Sequence, residues 1–213
     1  MKVKLVSITK PLITIGGTEL SPEAFIIYCA RVSSPNQENT EYEKLLLYCI
    51  NHKHWSIFEQ VDMGVEIITS RGIAPQILRH KSFSFQEFSQ RYAPVTAYEE
   101  IELRLQGDSK QGSSEVIDDK YTQLAIANAI SVAQEEYEYL LGCGVSRETA
   151  RMILPLCAQT KIYMKGSIRS WIHYLQVRLE DDTQKEHREI AKEILTLFAT
   201  NFPLITNALF SQR

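Results

Sequence analysis

Residues 61–67 alternate between apolar and polar types, and this pattern sets the tightest limit on the fold. A period of two lines one face of a strand and cannot form the stripe of a helix. The chain must therefore contain a half-buried sheet strand here. Its apolar members are Val61, Met63, Val65 and Ile67. Residues 1–10, the alternation at 101–105 and residues 161–165 predict further strands.

Helices are predicted between and after these strands. Ser21, Pro22 and Glu23 supply the capping hydroxyl, first-turn proline and acid typical of a helix N-terminus. Apolar residues recur at helical spacing within 42–49, 126–141, 168–179 and 190–198, and Pro75 permits a short helix over 74–81. Residues 107–114 predict a mobile loop. With no internal repeat and no linker, we predict one α+β domain over residues 1–213.

Composition and charge exclude several classes of protein. The formal net charge of −3 supplies no positive excess for general nucleic-acid binding. Residues 1–10 are not the apolar block of a signal peptide, and no run of about 18 apolar residues predicts a membrane span. The cysteines are not paired as Cys-x-x-Cys, and we expect reduced core thiols in a cytoplasmic protein. They are Cys29, Cys49, Cys143 and Cys157.

Residues 79–92 hold the densest group of chemically capable side chains. Arg79, His80 and Lys81 are followed by hydroxyls, amides, one acid and Arg91, interleaved with phenylalanines. Guanidinium groups and hydroxyls suit a phosphate, while aromatic rings suit either stacking or core packing. The pattern favours an extended or irregular segment over a helix. Composition alone is equally compatible with a solvent-exposed polar edge.

Arg178 lies beside the apolar stripe of its predicted helix. It follows Trp171 by seven residues and Leu175 by three, which places all three on neighbouring positions. A buried arginine is costly unless an anionic or strongly accepting group meets it. Arg178 either extends past Leu175 to Asp181 or Asp182, or meets a ligand. A different face of the helix carries Arg169, His173 and Gln176.

The stretch 79–92 resembles the signature of the flavin-dependent thymidylate synthases, Arg-His-Arg-x7-Ser-x-Arg-Tyr. The residues that match at full spacing are Arg79, His80, Ser89, Arg91 and Tyr92. Lys81 stands where the family usually has arginine, and it keeps the charge but loses the planar fork. Gln86 also departs from a frequent asparagine.

Two further blocks resemble the same family. The upstream block is 54–59, with His54, Ser56 and Glu59 at matching positions. The downstream block is 151–178, which includes Arg151, Pro155, Leu156, Arg169, Ser170 and Arg178. Ser167 and His173 stand where the family often has asparagines. The resemblance covers most of the chain but not the segment 107–114.

The resemblance implies a fold and a reaction. The fold is a mixed or antiparallel twisted sheet packed with long helices. The reaction converts dUMP into dTMP with carbon from 5,10-methylenetetrahydrofolate and hydride from FAD reduced by NADPH, and it releases tetrahydrofolate. Arg178 would be the catalytic residue that stabilises negative charge on the pyrimidine ring. The family is homotetrameric, with active sites built between subunits.

The resemblance also assigns the two ligands to residues. FAD contacts are expected at His54, Ser56, Arg79, His80, Lys81, Glu87, Ser167, Ile168, Arg169 and His173. The dUMP contacts are expected at Gln76, Ile77, Leu78, Arg79, Glu87, Phe88, Ser89, Gln90, Arg91, Arg151 and Arg178.

Other chemistries have weaker support in the sequence. No Gly-x-Ser-x-Gly elbow surrounds Ser89, so a phosphate-binding serine is favoured over a nucleophile. His52 and His54 lack an evident third ligand, so no metal site is expected. The cysteine nucleophile followed by histidine of the other thymidylate synthase family is absent. Two rival classes remain: a flavoprotein that oxidises NADPH or binds the nucleotide without methylating it, and an RNA-binding module, against which the negative charge argues.

Overall fold

The computed structural model describes residues 1–109 and 112–211. The strands are β1 (Lys2–Ile8), β2 (Thr14–Ile15), β3 (Thr18–Glu19), β4 (Asp62–Ser70), β5 (Ser84–Glu87), β6 (Arg104–Gln106), β7 (Ser113–Val116) and β8 (Gln159–Ser167). The helices are α1 (Pro22–Ala30), α2 (Glu43–Asn51), α3 (Ala74–Ile77), α4 (Lys120–Gly142), α5 (Arg147–Ala150), α6 (Ile168–Arg178), α7 (Lys185–Asn201) and α8 (Pro203–Phe210). Two 3₁₀ turns span Trp55–Glu59 and Arg151–Ile153.

The chain divides into two compact units. The core unit comprises residues 2–67, 78–86 and 163–213, and the ribbon unit comprises Met1, 68–77 and 87–162. Four strands form a sheet in the order β1-β4-β8-β5, and β4 and β8 each run from one unit into the other. Two antiparallel hairpins, β2-β3 and β6-β7, complete the strand structure. The predicted α+β class is confirmed, whereas a single domain over 1–213 stays a prediction.

Large aromatic side chains fill the interior of the core unit. Trp171 and Tyr174 of α6 and Phe198 of α7 are fully buried. Trp171 also donates its indole N–H to the backbone oxygen of Met63 over 2.9 Å, which ties α6 to β4. Burial of each large side chain contributes roughly 1.5–3 kcal/mol, and the satisfied indole avoids a desolvation cost. This anchor fixes where α6, the helix with the most predicted site residues, can lie.

The helix starts follow the signals in the sequence. The Ser21 hydroxyl accepts from the N–H of Ala24 over 3.1 Å, and Asp119 accepts from the N–H of Thr122 over 2.7 Å. Ser167 caps α6 in the same way, because its hydroxyl accepts from the N–H of Ser170. These caps satisfy donors that the first helical turn leaves unpaired.

The predicted helix over 74–81 was wrong in length, since α3 ends at Ile77. The chain turns instead, with the N–H of Phe83 donating to the backbone oxygen of His80 over 3.2 Å. The turn brings the buried Phe83 ring against β8. A Cβ placed on Gly166 would lie 2.5 Å from that ring, so the ring occupies space that only glycine leaves open. Packing of Phe83 therefore overrides the local helical tendency.

Other boundaries also differ from the prediction. The strand predicted at 101–105 begins only at Arg104, and the strand predicted at 161–165 is longer, at Gln159–Ser167. The loop predicted at 107–114 ends at β7, and its residues 110 and 111 lie outside the described residues. Sequence reasoning missed α8 and the β2-β3 hairpin.

Among the described residues, no helix combines the length and the hydropathy that a membrane span requires. All four cysteines are free, but Cys143 is exposed and Cys29 is partly exposed, so the expectation of core thiols holds only for Cys49 and Cys157.

Candidate active site

Arg178 ends α6 in the core unit with its side chain partly buried. Its Nε donates a hydrogen bond to Nε2 of His80 over 2.8 Å. The sequence predicted a strongly accepting partner, and the partner is this imidazole rather than Asp181 or Asp182. Asp181 accepts instead from Arg188 of α7 over 3.2 Å. The bond holds the guanidinium stem and leaves its two terminal nitrogens free of hydrogen bonds within the described residues.

His80 can accept this bond only as a neutral ring with its proton on Nδ1. Burial, followed by the charges of Arg178 and His173, lowers the pKa of His80 from 6.5 to about 4. The hydrogen bond and the lowered pKa thus both indicate that the His80 ring is neutral. At neutral pH the pair carries one positive charge, on the arginine.

A buried aromatic and histidine cluster surrounds His80. Its ring meets the edge of Tyr174 at a centroid distance of 4.8 Å. The Tyr174 hydroxyl hydrogen-bonds to Nε2 of His187 on α7 over 3.0 Å, and both side chains are fully buried. Burial, followed by the charges of Arg178 and His80, lowers the pKa of His187 to about 3. Burial also raises the pKa of Tyr174, so its hydroxyl stays protonated.

The second polar face of α6 lines a cleft in the core unit. The cleft has a volume of about 420 Å³, and its lining residues are Trp55, Glu59, Ser82, Arg169, Ser170, Ile172, His173 and Gln176. Arg169 pairs with Glu59 over 2.5 Å. The predicted FAD residues Arg169 and His173 therefore share one concave surface, with an indole ring and several hydrogen-bonding groups.

The remaining residues of the core unit that were predicted to contact FAD differ in how far their side chains are exposed to solvent. Ile168 is fully buried and its N–H donates to the backbone oxygen of Val61 over 2.9 Å. Ser167 is engaged as the cap of α6. The side chains of His54, Ser56, Arg79 and Lys81 are exposed. His54 precedes the 3₁₀ turn that supplies Trp55 and Glu59 to the cleft, so the backbone places it near that rim.

His52 and His54, where no metal site is expected, lie side by side after α2. The rings of His52 and His54 are 6.0 Å apart, and Nδ1 of His52 meets the backbone oxygen of Tyr48 at 2.9 Å. Residues 1–109 and 112–211 contain no group of three or more potential metal-binding side chains.

Glu87 anchors the candidate site in the ribbon unit. One oxygen of its carboxylate accepts from Nη1 of Arg71 and from the Thr160 hydroxyl, the latter over 3.0 Å. The next residue, Phe88, donates its backbone N–H to Lys161 over 2.8 Å. Glu87 is thus held by two donors, and within the part of the chain that the structure describes its second oxygen accepts no hydrogen bond, which leaves that oxygen available to a ligand. Sequence reasoning missed Arg71 and Thr160, because neither lies near Glu87 along the chain.

Ser89 and Arg91 line a second cleft of the ribbon unit, with a volume of about 640 Å³. The other lining residues are Tyr92, Ser146, Arg147 and Glu148. Arg91 forms an ion pair with Glu148 over 2.9 Å. Arg147 is a second cation that the sequence did not single out. The two arginines and two serine hydroxyls of this cleft suit an anionic group.

The predicted dUMP residues are distributed over both units. Leu78, Arg79 and Arg178 belong to the core unit. Those of the ribbon unit are Gln76 and Ile77 of α3, Glu87 of β5, Phe88, Ser89, Gln90 and Arg91 after that strand, and Arg151 at the start of a 3₁₀ turn. Ile77 and Gln90 are buried, and Arg151 is partly buried.

Comparison with known proteins identifies the family. The family described as "Thymidylate synthase complementing protein" matches residues 17–204. A flavin-dependent thymidylate synthase from Synechocystis sp. is 54% identical over 98% of this chain and 99% of its own length. The chain belongs to the flavin-dependent thymidylate synthase family. A probable flavin-dependent thymidylate synthase from Paramecium bursaria Chlorella virus 1 is 45% identical over 98% of this chain and 99% of its own length.

Solved structures extend the similarity to the fold of this flavin-dependent thymidylate synthase family member. The UMP/dUMP methylase PolB from Streptomyces cacaoi, bound with 5-Br dUMP, superposes with a TM-score of 0.81. It is 26% identical, and the match covers 99% of this chain and 94% of that chain. The same methylase bound with 5-Br UMP gives a TM-score of 0.83 at 25% identity, over 99% of this chain and 93% of that chain.

Proposed function

We propose that this chain converts dUMP to dTMP with FAD as cofactor, 5,10-methylenetetrahydrofolate as carbon donor and NADPH as reductant, releasing tetrahydrofolate. The observation that carries the proposal is its 54% identity, over almost the whole chain, to a flavin-dependent thymidylate synthase. The geometry of Arg178 supports it by supplying a charge that the reaction requires. We also propose that residues 1–213 act as one catalytic domain in the cytoplasm.

Arg178 is proposed as the catalytic residue. Carbon 5 of uracil is a poor nucleophile, and it attacks a one-carbon donor only when the ring becomes electron-rich. A guanidinium against the pyrimidine stabilises the negative charge that develops on the ring. His80 restrains Arg178 through Nε, so the terminal nitrogens can face a carbonyl oxygen with little reorganisation. The neutral state of His80 supports this role, because a protonated ring would repel the arginine.

FAD fits the donor set of the core-unit cleft. Its volume of about 420 Å³ suits a ring system or a diphosphate. Arg169 and His173 offer hydrogen-bond donors, and Trp55 offers an aromatic surface. We propose that FAD is held by these groups together with His54, Ser56, Arg79, His80, Lys81, Glu87, Ser167 and the backbone of Ile168. FAD bound by these residues would supply the hydride that reduces the one-carbon unit, and NADPH would be the source of that hydride.

The phosphate of dUMP is proposed to bind in the ribbon-unit cleft. Ser89 and Arg91 are exposed there, and their hydroxyl and guanidinium groups match a phosphate. Glu148 neutralises Arg91 in the present arrangement, so phosphate would compete with that carboxylate. Gln76, Ile77, Leu78, Arg79, Glu87, Phe88, Gln90 and Arg151 complete the proposed nucleotide contacts.

A homotetramer with active sites between subunits is the proposed assembly. Helix α4 supports it, because Tyr137 is the buried residue among its 23 positions. Tyr121 is 84% exposed and Tyr139 is 67% exposed on the same helix. Exposed apolar surface of this kind is typical of an interface between chains. The molar mass in solution, measured by light scattering, tests this assembly.

The experiment that tests the function has two stages. The purified protein should be yellow, and its flavin absorbance should respond to added dUMP. It should then form dTMP when dUMP, 5,10-methylenetetrahydrofolate and NADPH are all present, with UMP tested in parallel because the similar protein PolB is a UMP/dUMP methylase. NADPH oxidation without dTMP would indicate a flavoprotein that does not methylate. A colourless protein that binds RNA would overturn the proposal.

A further inference from the structure

His187 is a buried polar residue that the proposed reaction does not use directly. It lies on the inner face of α7, three residues before the buried Ile190, and its side chain is fully buried. Its Nε2 meets the Tyr174 hydroxyl at 3.0 Å, and that hydroxyl is equally buried. Two polar groups therefore meet inside a core that is otherwise largely apolar.

This hydrogen bond constrains Tyr174 more tightly than packing alone. A buried hydroxyl without a partner costs roughly 1–3 kcal/mol, so the pair strongly favours the one ring orientation that joins the two atoms. Apolar side chains of similar volume would fill the same space without specifying a direction. The hydrogen bond therefore restricts the side-chain orientation of Tyr174 in addition to the restriction that packing imposes on its ring.

Tyr174 in turn limits where the ring of His80 can lie. The two rings meet edge to face, with centroids 4.8 Å apart and planes at 69°. Phe83 confines His80 on another side, at 6.4 Å and 87°. Nε2 of the confined imidazole accepts the hydrogen bond from Arg178 over 2.8 Å. A continuous set of contacts thus runs from α7 to the guanidinium at the end of α6.

We propose that His187 and Tyr174 form a positioning pair that sets the orientation of His80 and, through it, the direction of Arg178. The inference rests on the proposed function, because the direction of Arg178 matters only if it faces the pyrimidine. Both members of the pair are fully buried, so we assign them a role that acts through His80. The pair adjusts the geometry of the transition state, and a misplacement of the charge by a fraction of an ångström reduces kcat.

Three variants separate positioning from packing. Tyr174→Phe removes the hydroxyl and keeps the ring, His187→Leu removes the imidazole, and the third combines both changes. Each single variant should lower kcat for dTMP formation about ten-fold, with the KM for dUMP and the flavin content unchanged. Because both changes break one bond, the double variant should lose little more than either single variant. His187→Gln, which keeps a polar nitrogen or oxygen near the hydroxyl, should restore most of kcat.

Two control variants change hydrogen bonds elsewhere in the core unit, one exposed and one buried. Tyr163→Phe removes a tyrosine hydroxyl that donates to Glu66 over 2.6 Å. Glu23→Gln weakens a buried bond from the N–H of Ile205, 2.9 Å long. Both should retain the kcat of the unmodified enzyme per folded chain, measured well below the unfolding temperature.

The outcomes separate this inference from the proposed function. Absence of dTMP formation by the unmodified enzyme would refute the proposed function itself. If that enzyme is active and Tyr174→Phe and His187→Leu match its kcat, the positioning role is wrong and the function stands. Parallel losses of kcat, flavin content and folded fraction, shared by Glu23→Gln, would assign the pair a purely structural role and also overturn the inference.

Discussion

Arg178 Nε donates a hydrogen bond to Nε2 of His80 over 2.8 Å, so the cation at the end of α6 is held by a neutral ring. A carboxylate in the same place would cancel much of the arginine's charge. The imidazole accepts the bond without that cancellation, and the full positive charge remains for a ligand. The partner of Arg178 is thus as informative as the arginine itself.

Arg178→Ala should abolish dTMP formation while the protein keeps its flavin. Loss of one preorganised electrostatic group costs roughly 10²–10³ in kcat, and a full charge belongs at the upper end. Chromatographic measurement of dTMP, with flavin absorbance as the binding readout, tests this. Arg188→Ala is the matched control, because Arg188 pairs with the exposed Asp181. Normal turnover by Arg178→Ala would remove the arginine from the proposed mechanism.

The stability of the protein should fall as the pH drops below about 6.5. Folding lowers the pKa of His80 to about 4 and of His187 to about 3, so the unfolded chain binds protons first. The free energy of unfolding then decreases as the pH falls from about 6.5 towards the lowered pKa values, and above pH ~6.5 it does not depend on these two groups. For the fully buried His187 the loss is on the order of 2 kcal/mol at pH ~5.

Urea titrations at several pH values test this dependence. His187→Gln should flatten the slope by about one proton between pH ~6.5 and ~5, since the variant lacks one of the two titrating groups. If the slope for His187→Gln equals that of the unmodified protein, then His187 is not buried in its neutral form in the folded protein.

Local patterns in the sequence predicted the elements in which buried residues recur at a regular spacing. The alternation at 61–67 coincides with β4 from its first residue, Asp62, onward, and the stripe containing Trp171 and Leu175 becomes the buried face of α6. The extended character of the stretch after Lys81 is confirmed by β5. In each case the spacing of the residues along the chain was sufficient to predict whether the segment is helical or extended.

Partners that are remote along the chain could not be predicted in this way. His187 appears in the sequence as one polar position in an amphipathic helix, and only its place three residues before Ile190 marked the buried face. Its bond to Tyr174 depends on how α6 and α7 pack. Arg71 and Glu87 are joined by the way the chain folds back between them. The end of α3 at Ile77 could not be predicted for the same reason, because it depends on the packing of Phe83 against the remote Gly166.

Arg71→Ala should weaken dUMP binding about ten-fold, equivalent to roughly 1.4 kcal/mol. The substitution removes the ion pair that orients Glu87 and leaves Thr160 as its remaining partner. A titration of dUMP monitored by flavin absorbance gives the Kd. Arg104→Ala, which breaks a 2.8 Å ion pair with Glu102 in the same unit, is the control. Equal Kd values in the two variants would show that Glu87 needs no support from Arg71.

Glu148→Gln should tighten dUMP binding, because it removes the carboxylate that competes with phosphate for Arg91. The two side chains form a 2.9 Å ion pair in the ribbon-unit cleft, and both are largely exposed. We expect the Kd for dUMP to fall about two- to three-fold at low salt. The difference should shrink as salt rises, since ions screen exposed charges over a Debye length of about 10 Å at 0.1 M.

Deoxyuridine provides the decisive comparison for this variant, because it has the same base and sugar but no phosphate. Its affinity should be the same with Glu148 and with glutamine at that position. Glu138→Gln removes another exposed acid of the ribbon unit, one that accepts from Gln134 over 3.0 Å, and it should leave both affinities unchanged. If Glu148→Gln changes deoxyuridine and dUMP binding equally, Arg91 does not bind the phosphate, and Arg147 or Arg151 becomes the cation to test next.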